Sequence, residues 1–163
     1  MKDRAIIIGA STVGKTTIVK HLTATTNLNI SESDDMLTEL NGGTYPSDSD
    51  YKMNVLAPQM VKDVLSRNNV IFFTNTHYFK PDDLKVARRK GFRIILLSLD
   101  REKMTSRSKY REENEGYEDH SKYFDDMLKY QEEILAKGFV DTVIDADKPV
   151  EEISKRILSD LKV

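Results

Sequence analysis

The sequence predicts a three-layer α/β domain, in which a parallel sheet of about five strands is flanked by helices. Short apolar runs suited to buried strands alternate along the chain with stretches of helical periodicity. The first apolar run leads through a glycine-containing turn directly into a helical stretch. Strands that alternate with helices pair in parallel through right-handed crossovers, so both faces of the sheet carry helices.

The composition fits one ordinary globular domain over residues 1–163. The chain is 39% hydrophobic and 32% charged, with a formal net charge of −2. This charge gives no overall electrostatic attraction to nucleic acid or to a membrane surface. The chain has no cysteine, which excludes disulfides, thiolate metal ligands and a cysteine nucleophile. Because no apolar stretch approaches the ~20 residues of a membrane span, we expect a cytoplasmic protein without a membrane partner.

The predicted strands are short, and each lies between polar or turn-forming residues. The clearest ones are continuous apolar runs, as expected for strands buried on both faces. The run near Ile30 is the weakest of them. The predicted strands cover residues 5–8, 28–30, 70–73, 92–99 and 140–144.

The predicted helices begin and end at recognised signals. Pro81 and the acids after it open one helix, and Gly91 ends it after three basic residues. Turn-forming residues dominate positions 41–50, which predicts a loop long enough to be functional. The predicted helices cover residues 15–24, a stretch from about 35, and residues 59–67, 81–90, 100–112, 119–137 and 149–161.

The turn after the first strand carries the most specific motif of the chain. Gly9-x4-Gly14-Lys15-Thr16 matches the phosphate-binding P-loop at every fixed position, in the required order of strand, turn and helix. Backbone N–H groups of such a turn and of the following helix N-terminus point at a phosphate. The motif predicts a site for ATP or another nucleoside triphosphate, with Lys15 on the outer phosphates and Thr16 as a Mg²⁺ ligand. The predicted binding residues are Gly9, Ala10, Ser11, Thr12, Val13, Gly14, Lys15, Thr16 and Thr17.

Two classes of P-loop protein lack their signatures in this sequence. No Asn-Lys-x-Asp segment is present, although GTPases use one to select guanine. Motor and AAA-type ATPases place an acid directly after the third strand, where this chain has Thr74 and Asn75. A conventional metal-binding acid at this strand end is therefore not expected.

Three weaker patterns, in the right order, resemble the nucleoside-monophosphate kinase group, which includes adenylate, thymidylate and shikimate kinases. They are residues 30–37 after the second strand, the pair Arg107 and Arg111, and residues 143–153 at the closing strand and helix. The resemblance implies that the arginine pair holds ATP and the transferring phosphoryl group, beside a short lid at about residues 112–119. The i, i+4 spacing puts both arginines on one helix face, although a solvated basic face is the alternative.

The section that binds the acceptor in such kinases corresponds to residues 31–66. Asp34 or Asp35 is the candidate for positioning the acceptor hydroxyl or holding Mg²⁺ through water, although Ser33 or Asp34 also suits a helix N-cap. His77 lies at the rim where it could contact an acceptor. Lys52 and Lys62 are the cations between residues 31 and 63, which also hold several acids. The acceptor is then a neutral hydroxyl compound or nucleoside, or a phosphate held by Lys52 and residues elsewhere.

The sequence therefore predicts a P-loop kinase that transfers the γ-phosphoryl group of ATP to a small acceptor, with a nucleotide or nucleoside favoured. One alternative is a nucleotide-binding regulatory or partner-binding module with little turnover. Another is a kinase acting on DNA or RNA, which the mildly negative net charge disfavours. The preference for ATP over GTP and the oligomeric state stay open.

Overall fold

The computed structural model describes residues 3–163, and its centre is a parallel five-stranded sheet with strand order β2-β3-β1-β4-β5. The predicted number of strands and their parallel pairing are confirmed. Each strand lies within about two residues of its predicted bounds. The strands are β1 (Arg4–Gly9), β2 (Ile30–Glu32), β3 (Val70–Thr74), β4 (Arg93–Ser98) and β5 (Thr142–Asp145).

Helices cover both faces of this sheet, which confirms the three layers. Within residues 3–163, none of them is both long and apolar enough to span a bilayer. A π-helical segment (Lys52–Leu56) joins α3 to α4, and a 3₁₀ turn (Ser121–Tyr123) precedes α7. The α-helices are α1 (Lys15–Thr25), α2 (Ser33–Leu40), α3 (Ser49–Tyr51), α4 (Ala57–Ser66), α5 (Pro81–Arg89), α6 (Arg101–Glu115), α7 (Phe124–Ala136) and α8 (Val150–Leu161).

The central strand β1 divides the core into two halves. Ile6 and Ile8 pack with side chains of α2, α4 and α5, whereas Ile7 packs on the other face with those of α1, α6 and α8. These side chains are completely buried. Successive residues of a strand point to opposite faces of the sheet, and helices cover both faces here. Because β1 lies between β3 and β4, the loop at its carboxyl end opens at the middle of the sheet edge, where ligands bind in such folds.

Residues 31–66 are more helical than the sequence predicts. α2 begins at Ser33, and residues 49–66 form one continuous helical segment, so the expectation of a loop to residue 50 and a helix from 59 is wrong. Pro58 explains the difference, because proline lacks an N–H group and crowds the carbonyl four residues earlier. The helix accommodates Pro58 by widening, and the Ala57 N–H bonds the Lys52 carbonyl in a π turn.

The break between α6 and α7, which the resemblance assigns to a lid, is shorter than residues 112–119. Residues 112–115 belong to the last turn of α6, which ends at Gly116 in a left-handed conformation with φ of 71°. Residues 116–120 form the connection to the 3₁₀ turn, and α7 begins only at Phe124 rather than near residue 119. A positive φ favours glycine, so Gly116 marks the end of the helix rather than the middle of a loop.

The buried phenyl ring of Phe72 tests this core. Phe72 is fully buried on β3 and packs at 5.9 Å between ring centroids against Phe79. Phe72→Ala should lower the free energy of unfolding by about 3–5 kcal/mol, because it removes apolar contact and leaves a cavity. Urea denaturation measures this loss. Tyr110→Ala, at a side chain that is 60% exposed, is the control and should change stability by less than about 0.5 kcal/mol.

Candidate functional site

The P-loop connects β1 to α1, and both of its glycines are required by the geometry. A Cβ on Gly9 would lie 2.5 Å from the Val13 Cγ2 atom, so the turn closes only on a residue without a side chain. Gly14 has φ of 88°, a left-handed conformation that strains other residues. The loop is tightened by the Val13 N–H, which donates to the Ala10 carbonyl at 3.2 Å. The nine predicted binding residues thus form one turn and the first residues of α1.

Lys15 folds back over this turn. Its Nζ donates to the carbonyls of Gly9 at 2.6 Å and Ala10 at 2.7 Å. Desolvation lowers the pKa of Lys15 to about 7, and the positive charge of Arg111 adds to this, while Asp34 and Glu32 oppose it. The positive charge of the Lys15 ammonium is therefore only partly balanced by its surroundings in the free protein. An anion in the loop would stabilise the charged form.

Both predicted arginines reach the P-loop from α6. The Arg107 guanidinium donates to the Thr12 carbonyl at 3.1 Å and to the Ala146 carbonyl at 3.2 Å. Arg111 donates to the Ser11 carbonyl at 2.9 Å. Other cations of the same helix bond elsewhere, as Arg101 does to Asp125. The pair at spacing i, i+4 is thus directed at the P-loop rather than spread over a solvated face.

Two hydroxyls of the P-loop are buried without a partner. Ser11 Oγ and Thr12 Oγ1 make no hydrogen bond to the residues that the structure describes. Burying an unpaired hydroxyl is costly, so these groups fit a ligand with several acceptor oxygens, such as a triphosphate. Thr16 is exposed in the first turn of α1. Residues 3–163 contain no cluster of three His, Cys, Asp or Glu side chains that would hold a metal on its own.

Carboxylates follow β2 at the same edge of the sheet. Asp34 retains access to solvent, yet the surrounding protein desolvates its carboxyl and raises its pKa, against the opposing charges of Lys15 and Lys52. Desolvation and the neighbouring acids also raise the pKa of Glu32. The N-cap of α2 is Glu32 and makes no side-chain capping bond, so neither Ser33 nor Asp34 serves as the cap. Asp35 is exposed one residue further along α2.

Two tyrosines and a lysine complete this edge, and no sequence pattern indicated them as a group. Tyr45 lies in the loop after α2, Lys52 at the start of the π segment, and Tyr78 after β3. The Tyr45 and Tyr78 hydroxyl oxygens are 3.4 Å apart, and Lys52 Nζ donates to the Tyr45 hydroxyl at 3.3 Å. The predicted rim residue His77 instead bonds Thr76 and lies against the Tyr130 ring.

Comparison with known families identifies this architecture. A profile described as "AAA domain" matches residues 5–134, and the chain belongs to that family. No curated protein matches the chain significantly.

Solved structures show the same fold over nearly the whole chain. Shikimate kinase from Aquifex aeolicus is 20% identical with a TM-score of 0.72, covering 98% of this chain and 96% of its own. Shikimate kinase from Acinetobacter baumannii, in complex with shikimate, is 17% identical with a TM-score of 0.77, covering 99% and 94%. A gluconokinase from Sinorhizobium meliloti is 18% identical with a TM-score of 0.65, covering 98% and 91%. The fold is that of the small P-loop kinases, in agreement with the predicted resemblance.

The lowered pKa of Lys15 predicts that triphosphate binding is coupled to proton uptake. With a pKa of about 7 the free amine is mostly neutral at pH 8, and phosphate oxygens should restore its charge. Calorimetric titration with Mg-ATP at pH 8, in buffers of different ionisation enthalpy, should give uptake of about one proton per nucleotide. At pH 6 the lysine is already charged, so uptake should approach zero.

Lys155→Met on the exposed face of α8 is the control and should retain this uptake. Equal proton uptake at pH 6 and pH 8 in the unmodified protein would contradict the assignment.

Proposed function

We propose that the protein is an ATP-dependent phosphotransferase that moves the γ-phosphoryl group to a hydroxyl of a small acceptor. The observation that carries this proposal is the convergence of Arg107 and Arg111 on the P-loop backbone, beside Lys15. Phosphoryl transfer needs little covalent chemistry and depends on positioning and on stabilising negative charge. A nucleotide-binding module without turnover would not need two arginines at the phosphate site.

The donor side uses the P-loop and its unpaired groups. Residues 9–17 would hold the phosphates through backbone N–H groups and through the Ser11 and Thr12 hydroxyls, which lack partners in the free protein. Lys15 would exchange its bonds to the Gly9 and Ala10 carbonyls for phosphate oxygens. Thr16 would ligate Mg²⁺, which supplies charge neutralisation on the phosphates when bound.

The transfer step relies on the arginine pair. The planar fork of a guanidinium suits Arg107 and Arg111 to bind phosphate oxygens. Arg111 also lies 4.0 Å from the centroid of the Tyr117 ring, in the connection after α6. Closure of residues 116–120 over the phosphates would exclude water, which otherwise competes with the acceptor for the phosphoryl group.

The acceptor side favours Asp34 over Asp35. The electrostatic interaction of Asp34 with Lys15 supports a position of its carboxylate near the phosphate site. A carboxylate within reach of a hydroxyl orients it and accepts its proton. The raised pKa of Asp34 suits such a role. Neighbours of this fold named as shikimate kinase and gluconokinase support a small-molecule acceptor rather than a polynucleotide.

Removing Arg111 tests the proposed chemistry. Arg111→Ala should lower the single-turnover rate about 10²–10³-fold, because a charge on the transferring group is lost, while the Kd for ATP changes only a few-fold. The assay follows labelled γ-phosphate from ATP to a panel of nucleosides, nucleotides and small hydroxyl metabolites. Lys109→Ala, exposed on the same helix, should match the unmodified protein. An equal loss in rate and in ATP affinity would assign Arg111 to simple binding.

Two amide variants test whether Asp34 or Asp35 is the acid that acts on the acceptor hydroxyl. Asp34→Asn should lower kcat at least 10²-fold with the acceptor that is turned over, because an amide accepts no proton. Asp35→Asn should have less than a tenth of that effect. The opposite order would move the role to Asp35, and two wild-type-like variants would remove the carboxylate from the mechanism.

A further inference from the structure

The chain folds back over Arg111 where α6 ends. Gly116 adopts a left-handed conformation with φ of 71°, which reverses the direction of the backbone after the last helical turn. The Gly116 N–H and the Tyr117 N–H both donate to the Arg111 carbonyl, the latter at 3.3 Å. The end of the helix therefore returns the Tyr117 side chain to the face of α6 that carries Arg111.

Three contacts surround the Arg111 guanidinium. Its central carbon lies 4.0 Å from the centroid of the Tyr117 ring, so the cation faces the electron-rich side of the ring. Nη1 donates to the Ser11 carbonyl at 2.9 Å, and Nε lies 3.8 Å from a carboxylate oxygen of Glu115. The Arg111 side chain is 30% exposed. The contact with the ring thus forms in a partly desolvated setting, where the attraction between a cation and a ring is stronger than in water.

Arg107, one helical turn earlier, is held in a different way. Its guanidinium donates to the carbonyls of two separate segments, at Thr12 in the P-loop and at Ala146 after β5. For Arg111, the P-loop carbonyl is joined by the ring of Tyr117, from the connection after α6. This ring is 50% exposed, so burial in the core does not explain its position. The contact with Arg111 does.

We infer that Tyr117 is a positioning residue, whose ring holds the Arg111 guanidinium against the P-loop before the triphosphate binds. This inference rests on the proposed kinase function. An arginine side chain has many rotamers, and ordering it during the reaction costs free energy. A guanidinium that is already oriented stabilises developing negative charge without that cost. The contact involves the face of the ring, so it requires an aromatic side chain but not the tyrosine hydroxyl.

NMR spectroscopy of the protein without nucleotide tests the contact itself. The ring current of Tyr117 should shift the Arg111 Nε–H proton upfield, and the loss of this signal in Arg111→Ala assigns it. Tyr117→Phe should keep the upfield position, whereas Tyr117→Leu should move the signal downfield. Tyr123→Leu is the matched control, because Tyr123 is similarly exposed but faces Lys122. A signal that does not respond to Tyr117→Leu would overturn the inference, whether or not the protein is a kinase.

Single-turnover kinetics, with an acceptor that the unmodified protein phosphorylates, tests the consequence for the reaction. Tyr117→Leu should lower the rate about three- to tenfold and change the Kd for Mg-ATP less than about twofold, because the ring orients a group that acts on the transferring phosphoryl. Tyr117→Phe should restore at least about half of the unmodified rate, and Tyr123→Leu should match it. In the Arg111→Ala background, Tyr117→Leu should change the rate less than about twofold, since the residue that it orients is gone.

The other outcomes distinguish positioning from a purely structural role. An equal loss from Tyr117→Leu with and without Arg111 would assign Tyr117 to the structure of the helix end and overturn the inference. An unmodified rate in Tyr117→Leu, with Arg111→Ala impaired, would also overturn it and leave the kinase function intact. Transfer to no acceptor by the unmodified protein, with Mg-ATP binding shown by calorimetry, would overturn the kinase function and with it a role of Tyr117 in transfer. Circular dichroism verifies folding of each variant.

Discussion

The arrangement of the site depends on the hydrogen bonds that Lys15 makes to its own loop. The side-chain nitrogen donates to the Gly9 and Ala10 carbonyls. The same carbonyl-rich turn receives Arg107 and Arg111 at Thr12 and Ser11. Three cations therefore converge on one short backbone segment. Arg111 and the charged form of Lys15 repel each other in the free protein. A bound polyanion would relieve this repulsion.

The sheet makes this convergence possible. Because β1 is central and its neighbours β3 and β4 are parallel to it, the carboxyl ends of all three strands open at the same edge. β4 leads into α6 through Asp100, whose side chain caps the helix by accepting from the Lys103 N–H. This cap fixes the start of α6, and a helix rise of about 1.5 Å per residue then carries Arg107 and Arg111 past the P-loop.

Sequence reasoning succeeded where a local pattern dictates a local structure. The P-loop, the strands and most helix ends follow from glycines, apolar runs and capping signals within a few residues. It failed at Pro58, because an isolated proline normally ends a helix, whereas here the helix widens into a π turn around it. The contact between the Tyr45 and Tyr78 hydroxyls was not predictable either, since these residues are 33 positions apart and meet only through tertiary packing. That Arg107 and Arg111 form a pair was readable from their spacing, but their contacts with the P-loop were not.

The end of β3 in this chain differs from that of the motor ATPases. The chain belongs to the AAA domain family, yet no acid follows β3. Thr74 and Asn75 occupy that position, and the Thr74 hydroxyl donates to the Asn75 carbonyl at 3.2 Å. Charge at this edge comes instead from Glu32 and Asp34, at the end of β2 and the start of α2. The charges of these carboxyls and of Lys15 act on one another, so ionisation of either changes the pKa of the other.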